Sequence, residues 1–126
     1  MSYIYYNPNP LRSMAGDCVI RAICKATEED WDTVYSKVTF YGFLNKEMPS
    51  ANEVWGSYLK SIGFTKYVIP DTCPNCYSIK EFCIDNPNGT YLLVTQGHVV
   101  AVVDGFYFDT WDSGNEVPIY YWMKGA

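Results

Sequence analysis

The sequence predicts a single domain of the α+β class, and three observations carry this prediction. Apolar residues recur at helical spacing in the first half of the chain, whereas the second half contains short runs rich in β-branched and aromatic residues. The chain has 126 residues, the size of one ordinary domain. Its apolar fraction of 48% is enough to fill a core and too high for a disordered chain. We therefore treat residues 1–126 as one domain.

Two helices are predicted after a short opening loop. The prolines at positions 8 and 10 keep that loop out of a helix, because each favours extended geometry in the residue before it. Asp17 is a suitable N-cap for a helix over residues 18–26, whose broad apolar stripe is typical of a central, buried helix. Thr27 and Asp30 resemble a capping box and predict a second helix that runs to about position 40.

A third helix, a short strand and a short fourth helix are predicted next. Ser50 is expected to begin the third helix, which ends at Gly63. Residues 67–69 favour a strand, and a capping-box pattern at Ser78 begins the short helix. The remainder favours a sheet, with strands over residues 90–95, 99–103, 106–110 and 117–122.

The pair Asp104-Gly105 predicts a two-residue hairpin loop, which fixes how two of these strands face each other. With this loop, Val103 pairs with Phe106, and the side chains of His98 and Asp109 lie diagonally on one face of the sheet. A three-residue loop with a bulge would reverse the alternation and put Asp112 in the place of Asp109.

Charge and apolar patterning exclude several classes of partner. The net charge is −5 and the pI is about 4.6, so the chain offers no broad cationic face for nucleic acid or an anionic membrane surface. No apolar run approaches the roughly 20 residues that cross a bilayer, and the first residues do not resemble a secretion signal. We expect a cytoplasmic protein that binds neither nucleic acid nor membrane.

Cys18 is the residue that points most directly to chemistry. The five cysteines are an odd number in a chain without a secretion signal, so we expect free thiols and a reducing compartment rather than a disulfide framework. Cys18 lies in the first turn of the predicted central helix, where backbone N–H groups and the helix dipole stabilise a thiolate. The alternative is that Cys18 is a small buried residue without a chemical role.

His98 and Asp109 supply the other two groups that an activated cysteine requires. His98 is the only histidine and begins the most apolar predicted strand. A carboxylate within an aromatic strand is costly to bury without a partner, and His98 is the partner that the hairpin register offers to Asp109. The carboxylate orients the imidazole, and the imidazole takes the proton of the thiol, which are the roles found in a cysteine hydrolase.

Arg12 and Arg21 are the only arginines, and both lie within six residues of Cys18. Arg21 follows Cys18 by about one helical turn, so it is placed either to favour the thiolate or to bind a carboxylate of the substrate. The alternative is a solvated arginine on the protein surface.

The three pieces together resemble the papain-like cysteine peptidases, including their small bacterial and phage members. The matching segments are Gly16-Asp17-Cys18-Val19, Gly97-His98-Val99-Val100-Ala101-Val102 and Asp109-Thr110-Trp111-Asp112, in the order Cys, His, Asp. The resemblance implies a helix that carries the nucleophile and packs on a C-terminal antiparallel sheet. It also implies cleavage of a protein or peptide substrate through a thioester acyl-enzyme, with no cofactor.

The oxyanion donor departs from the family pattern. Members of the family place a glutamine about six residues before the cysteine, and Arg12 occupies that position here. Asn7, Asn9 and Ser13 are the other nearby donors. Acyl transfer to an amine, as in transglutaminase-like enzymes, remains an alternative to hydrolysis.

Two other functions remain open from the sequence. One is a papain-like fold that acts by binding, for example as a phage or bacterial inhibitor of a partner protein. The other depends on Cys73, Cys76 and Cys83, since a C-x-x-C pair and a third cysteine offer soft ligands for zinc or a dithiol for glutaredoxin-like redox chemistry. The zinc site lacks a fourth ligand, and a glutaredoxin-like fold would begin with a strand rather than with helices.

Overall fold

A computed structural model of the protein describes residues 3–125 and shows a mixed α+β architecture with four helices and six strands in that range. The helices are α1 (Cys18–Thr27), α2 (Trp31–Asn45), α3 (Asn52–Ser61) and α4 (Ile79–Asp85). The strands are β1 (Tyr3–Tyr5), β2 (Phe64–Val68), β3 (Thr90–Thr95), β4 (His98–Val103), β5 (Phe106–Asp109) and β6 (Tyr120–Lys124).

The helix that carries Cys18 forms as predicted, but Asp17 does not cap it. Asp17 occupies the N-cap position, and its side chain accepts no hydrogen bond from the first turn of α1. The carboxylate instead pairs with Arg21 on the same helix and accepts a hydrogen bond from the indole of Trp31. A buried guanidinium binds a carboxylate more strongly than a backbone N–H does, which explains the different partner.

The starts of α2 and α3 differ from the prediction. Thr27 is the last residue of α1, and its hydroxyl donates to the carbonyl of Ile23, so the expected capping box with Asp30 does not form. Asp30 alone caps α2, accepting from the N–H of Thr33, and this helix continues five residues beyond position 40. The N-cap of α3 is Ala51 rather than Ser50.

The six strands form one mixed sheet rather than an antiparallel one. Its strand order is β1-β5-β4-β3-β6-β2, and β1 pairs with β5 in parallel while the other neighbours are antiparallel. The sequence analysis did not predict β1, which has only three residues. It also placed β2 and β6 three residues away from their observed starts, at 67 and 117 instead of 64 and 120.

The hairpin between β4 and β5 has the predicted register. Val103 pairs with Phe106, and Ala101 pairs with Phe108. Asp104 and Gly105 both have positive φ, at 50° and 82°, as a type I′ turn requires. Continuing this ladder brings the first residue of β4 and the last residue of β5 to the same end of the sheet.

Helices cover both faces of the sheet. On one face, buried residues of α1, α2 and α3 pack against Leu92, Val94, Val99 and Ala101. On the other face, α4 packs against Leu93, Val100, Val102 and Tyr107. The helix carrying Cys18 therefore packs on the sheet as expected, while the second helical layer was not predicted. No helix among residues 3–125 has the length and apolar character that a membrane crossing requires.

Candidate active site

Cys18, His98 and Asp109 come together because each lies at the end of its element. Cys18 is the first residue of α1, His98 the first of β4 and Asp109 the last of β5. Since β4 and β5 are antiparallel neighbours, their two residues share one end of the sheet. Helix α1 packs on β4 and brings its N-terminal residue to that same end.

His98 and Asp109 form a short hydrogen bond, which confirms the contact that the hairpin register predicted. The Nε2 atom of His98 donates to Oδ2 of Asp109 at 2.6 Å. The three-residue loop that would have brought Asp112 to His98 does not occur. Asp112 instead accepts hydrogen bonds from the hydroxyl of Tyr107 and from the N–H of Gly114.

The Asp109 carboxylate is buried, and each of its two oxygens accepts from two donors. Its Oδ2 accepts from His98 and from the hydroxyl of Ser113 at 2.7 Å, and its Oδ1 accepts from the N–H of Thr110 at 2.8 Å and from Arg21 at 3.4 Å. Burial alone would raise the pKa of Asp109. The hydrogen bonds from His98 and Ser113 and the charge on His98 outweigh that effect and hold the pKa below its usual value.

The pKa of His98 is raised to about 9. Burial acts to lower it, but the hydrogen bonds to Asp109 and Cys18, together with the negative charge of each partner, favour the protonated ring. Trp111 packs beside the imidazole with ring centroids 5.1 Å apart and shields it in part from solvent. The same register that predicted the Asp109 contact places Trp111 opposite His98.

The pKa of the half-buried Cys18 thiol is lowered. Burial would raise it, but the neighbouring ring of His98, the nearby N–H of Val99 and the positive charges of His98 and Arg21 favour the thiolate. Because Nε2 of His98 is bonded to Asp109, the ring has Nδ1 left to face the sulfur. Both shifts favour a thiolate–imidazolium pair over the neutral pair.

The other two free cysteines have the opposite environment. Cys24 and Cys83 are buried in α1 and α4, as expected for thiols that pack in a core. Burial raises the pKa of Cys24 to about 12 and that of Cys83 to about 11. Among the free thiols of residues 3–125, Cys18 alone has a lowered pKa.

Arg21 is neither solvated nor free to bind a substrate carboxylate. It is 8% exposed, and its guanidinium pairs with Asp17 and with Asp109. Both of the interpretations that left it open to solvent or substrate are therefore wrong. Its charge contributes to the lowered pKa of Cys18, as the first interpretation expected.

The candidate oxyanion donors lie on the loop before α1. Asn9 is buried, and its side chain donates to Asp17 at 3.4 Å and accepts from the N–H of Leu11 at 2.9 Å. Asn7 donates to the carbonyl of Ser13 at 3.4 Å and also holds the loop. Arg12 and Ser13 are exposed.

The cysteine-rich segment differs from the expectation of three free thiols. Cys73 and Cys76 are bonded to each other as a disulfide, contrary to the expectation of free thiols. Cys83 lies in the core beneath α4 and is 2% exposed, since it occupies the apolar face of that helix. No group of three or more potential ligands that could hold a metal ion occurs among residues 3–125.

Sequence reasoning missed two supports of this site. Ser113 donates to Asp109 from the loop after β5, and no local pattern marks it in the sequence. Trp31 donates to Asp17 at 2.8 Å from the first turn of α2. Chemically, the site places a thiol of lowered pKa beside an imidazole whose ring is fixed by a carboxylate. No protein family, curated protein or solved structure matches this chain, so its function is argued from the geometry of this site.

Proposed function

We propose that this protein is a cysteine hydrolase of the papain-like kind, a peptidase or amidase in which Cys18, His98 and Asp109 form the catalytic triad. The observation that supports the proposal is that His98 is bonded to Asp109 through Nε2 at 2.6 Å and lies near enough to the Cys18 thiol for each group to shift the pKa of the other. The same ring is protonated to high pH and stands beside a thiol whose pKa is lowered, as attack on a carbonyl requires.

Acylation begins with attack of the Cys18 thiolate on the carbonyl carbon of the scissile amide. A C–S bond forms, and the electron pair of the C=O bond moves onto the carbonyl oxygen. When that oxyanion collapses, the C–N bond breaks and the proton on His98 passes to the leaving amine. The products of this half-reaction are a thioester on Cys18 and a neutral imidazole.

Deacylation uses the same groups in reverse. His98 takes a proton from water, whose oxygen attacks the thioester carbonyl, and the C–S bond breaks to release the carboxylic acid and the thiolate. Asp109 keeps the ring oriented and stabilises its charge in both halves. No side chain caps the first turn of α1, since Asp17 is turned to Arg21, so the N–H groups of that turn are the proposed support for the oxyanion.

Hydrolysis of p-nitrophenyl acetate tests the proposal without knowledge of the natural substrate. We expect an acetyl group on Cys18 by mass spectrometry, followed by release of acetate over several turnovers. Cys18→Ala should abolish both, whereas Cys83→Ala, which removes a thiol from the opposite face of the sheet, should keep them.

Two outcomes would overturn the proposal. Hydrolysis that is unchanged in Cys18→Ala would place the chemistry elsewhere. Acetylation of Cys18 without turnover, and without cleavage of a mixed peptide library, would favour the alternative of a papain-like protein that acts by binding.

A further inference from the structure

Arg21 is a buried cation next to the proposed triad. It is 8% exposed, and a charged group removed from water is costly unless other groups neutralise it. The chain therefore retains a guanidinium beneath the N-terminal turn of α1 where an apolar side chain would pack at lower cost.

The guanidinium is held from two sides. One Nη atom binds Asp17, and the other lies 3.4 Å from Oδ1 of Asp109. Asp17 is itself fixed, since its second oxygen accepts from the indole of Trp31 at 2.8 Å and from the side chain of Asn9 at 3.4 Å. Asp17 thus anchors Arg21 to α2 and to the loop before α1.

Arg21 in turn limits the movement of Asp109. It occupies Oδ1 together with the N–H of Thr110, which leaves Oδ2 to His98 and Ser113. Rotation of the carboxylate would break contacts on both oxygens at once. Its positive charge also acts on Cys18, which lies three residues earlier on the same helix.

We propose that Arg21 acts on the site through its charge: held by Asp17 next to Oδ1 of Asp109, it supplies a buried positive charge that sets the pH range of the thiolate–imidazolium pair. Any effect of Arg21 on catalysis rests on the proposed function. The effect of its charge on the titration of Cys18 and His98 depends only on the contacts of Arg21 with Asp17 and Asp109.

The charged groups around Arg21 fix the sign of the expected effects. They are Asp17 and Cys18 from α1, His98 from β4 and Asp109 from β5. Helix α2 contributes the neutral indole of Trp31, and β3, which also contacts α1, has no charged side chain. Loss of the Arg21 charge makes the thiolate less stable and the imidazolium more stable. The titration midpoints of Cys18 and His98 should therefore both rise.

Arg21→Gln is the main test, because glutamine is neutral and still donates hydrogen bonds. The Cys18 midpoint is measured from the ultraviolet absorbance of the thiolate against Cys18→Ser in the same background, and the His98 midpoint from the NMR signals of its ring. We expect both to rise by about one pH unit, a tenfold change in each protonation ratio. Arg21→Lys, which keeps the charge, should stay near the parent values. Lys25→Met removes a cation from the same helix that pairs with Glu28 instead, and should change neither midpoint.

A merely structural role predicts a different pattern. Loosening the site would move Cys18 up but His98 down, each toward its ordinary value, and that result, or unchanged midpoints, would overturn the inference. If Arg21→Gln does not fold, Asp17→Asn carries the test, because losing the anion that neutralises Arg21 should lower both midpoints. The proposed function fails in a different way, namely if Cys18 of the parent protein titrates at the ordinary pH of a cysteine thiol. In that case the change in the His98 midpoint in Arg21→Gln still tests the inference about Arg21.

Discussion

Asp109 shows how much of the site follows from local pattern and how much does not. Its contact with His98 follows from the parity of a two-residue hairpin, because the turn residues fix which side chains share a face. Its contact with Arg21 does not, because arginine is usually exposed and this one is buried only since Asp17 turns away from its capping position. The orientation of the Asp17 side chain depends on residues distant in the sequence, such as Trp31, which donates to it.

The titration of His98 tests the role of Asp109 directly. As the only histidine, it gives ring NMR signals that need no further assignment. We expect a midpoint of about 9 in the parent protein and a fall toward the ordinary value in Asp109→Asn, which keeps an acceptor but loses the charge. Asp112→Asn is the matched control and should change little, because Asp112 pairs with Tyr107. A fall of equal size in both variants would disprove the assignment.

The same shift predicts how stability depends on pH. Since the folded pKa of His98 lies above the unfolded value of about 6.5, its proton stabilises the fold below pH 6.5, and this contribution is lost as the pH rises toward 9. The lowered pKa of Cys18 has the opposite effect, since it makes the fold more stable as the pH rises. The pH dependence due to His98 is therefore measured in a Cys18→Ser background. There, the free energy of unfolding from urea titrations should decrease above about pH 6.5, over a narrower range than in the parent protein because Cys18 no longer raises the pKa of His98, and Asp109→Asn should flatten that decrease. Equal slopes in the two proteins would contradict the linkage.

At the scale of elements, strong local signals predicted well and weak ones did not. The capping box at Ser78 begins α4 as expected, and β3 has the predicted bounds. The three-residue β1 escaped prediction because its partner, β5, lies about a hundred residues later in the chain. The predicted end of α2 came five residues too early, because the helix continues through Gly42, a residue type that usually ends helices. The backbone of Glu47 and Pro49 passes so close to Gly42 that a Cβ atom would not fit there.

The hairpin turn should be sensitive to a single methyl group. Gly105 has φ of +82°, a region where a Cβ atom costs about 1–2 kcal/mol, so Gly105→Ala should lower the free energy of unfolding by that amount. Gly16→Ala should change it by less than about 0.5 kcal/mol, because Gly16 has open space around it and no positive φ. Urea titrations measure both. Equal stability of the two variants would show that the turn is not what fixes this register.

At the scale of the whole molecule, the sheet lies between two hydrophobic cores, one on each of its faces. The sequence predicted helices on one face only, although the unbroken apolar run of β4 is typical of a strand buried on both faces. That run was interpreted only as the strand that begins with His98. The second helical layer, formed by α4, depends on the order of the strands in the sheet, which the sequence pattern does not show.

Adjacent leucines in β3 test whether the two cores unfold together. Leu92 faces α1–α3 and Leu93 faces α4, and each is 0% exposed. Either substitution by alanine should lower the free energy of unfolding by about 2–5 kcal/mol. Tryptophan fluorescence reports on the Leu92 side, where Trp55 and Trp122 are buried. We expect Leu93→Ala to shift that transition as well, and an unshifted fluorescence transition would show that the two layers unfold separately.

The central claim is that His98 activates Cys18, and alkylation by iodoacetamide at about pH 6 tests it most directly. Peptide mapping by mass spectrometry follows the three free thiols, Cys18, Cys24 and Cys83, in one sample. We predict that Cys18 reacts first, since its thiolate is favoured while burial keeps the other two protonated, and that His98→Ala slows Cys18 alone. Equal and slow modification of all three thiols, or a Cys18 rate that is the same in His98→Ala, would contradict the claim.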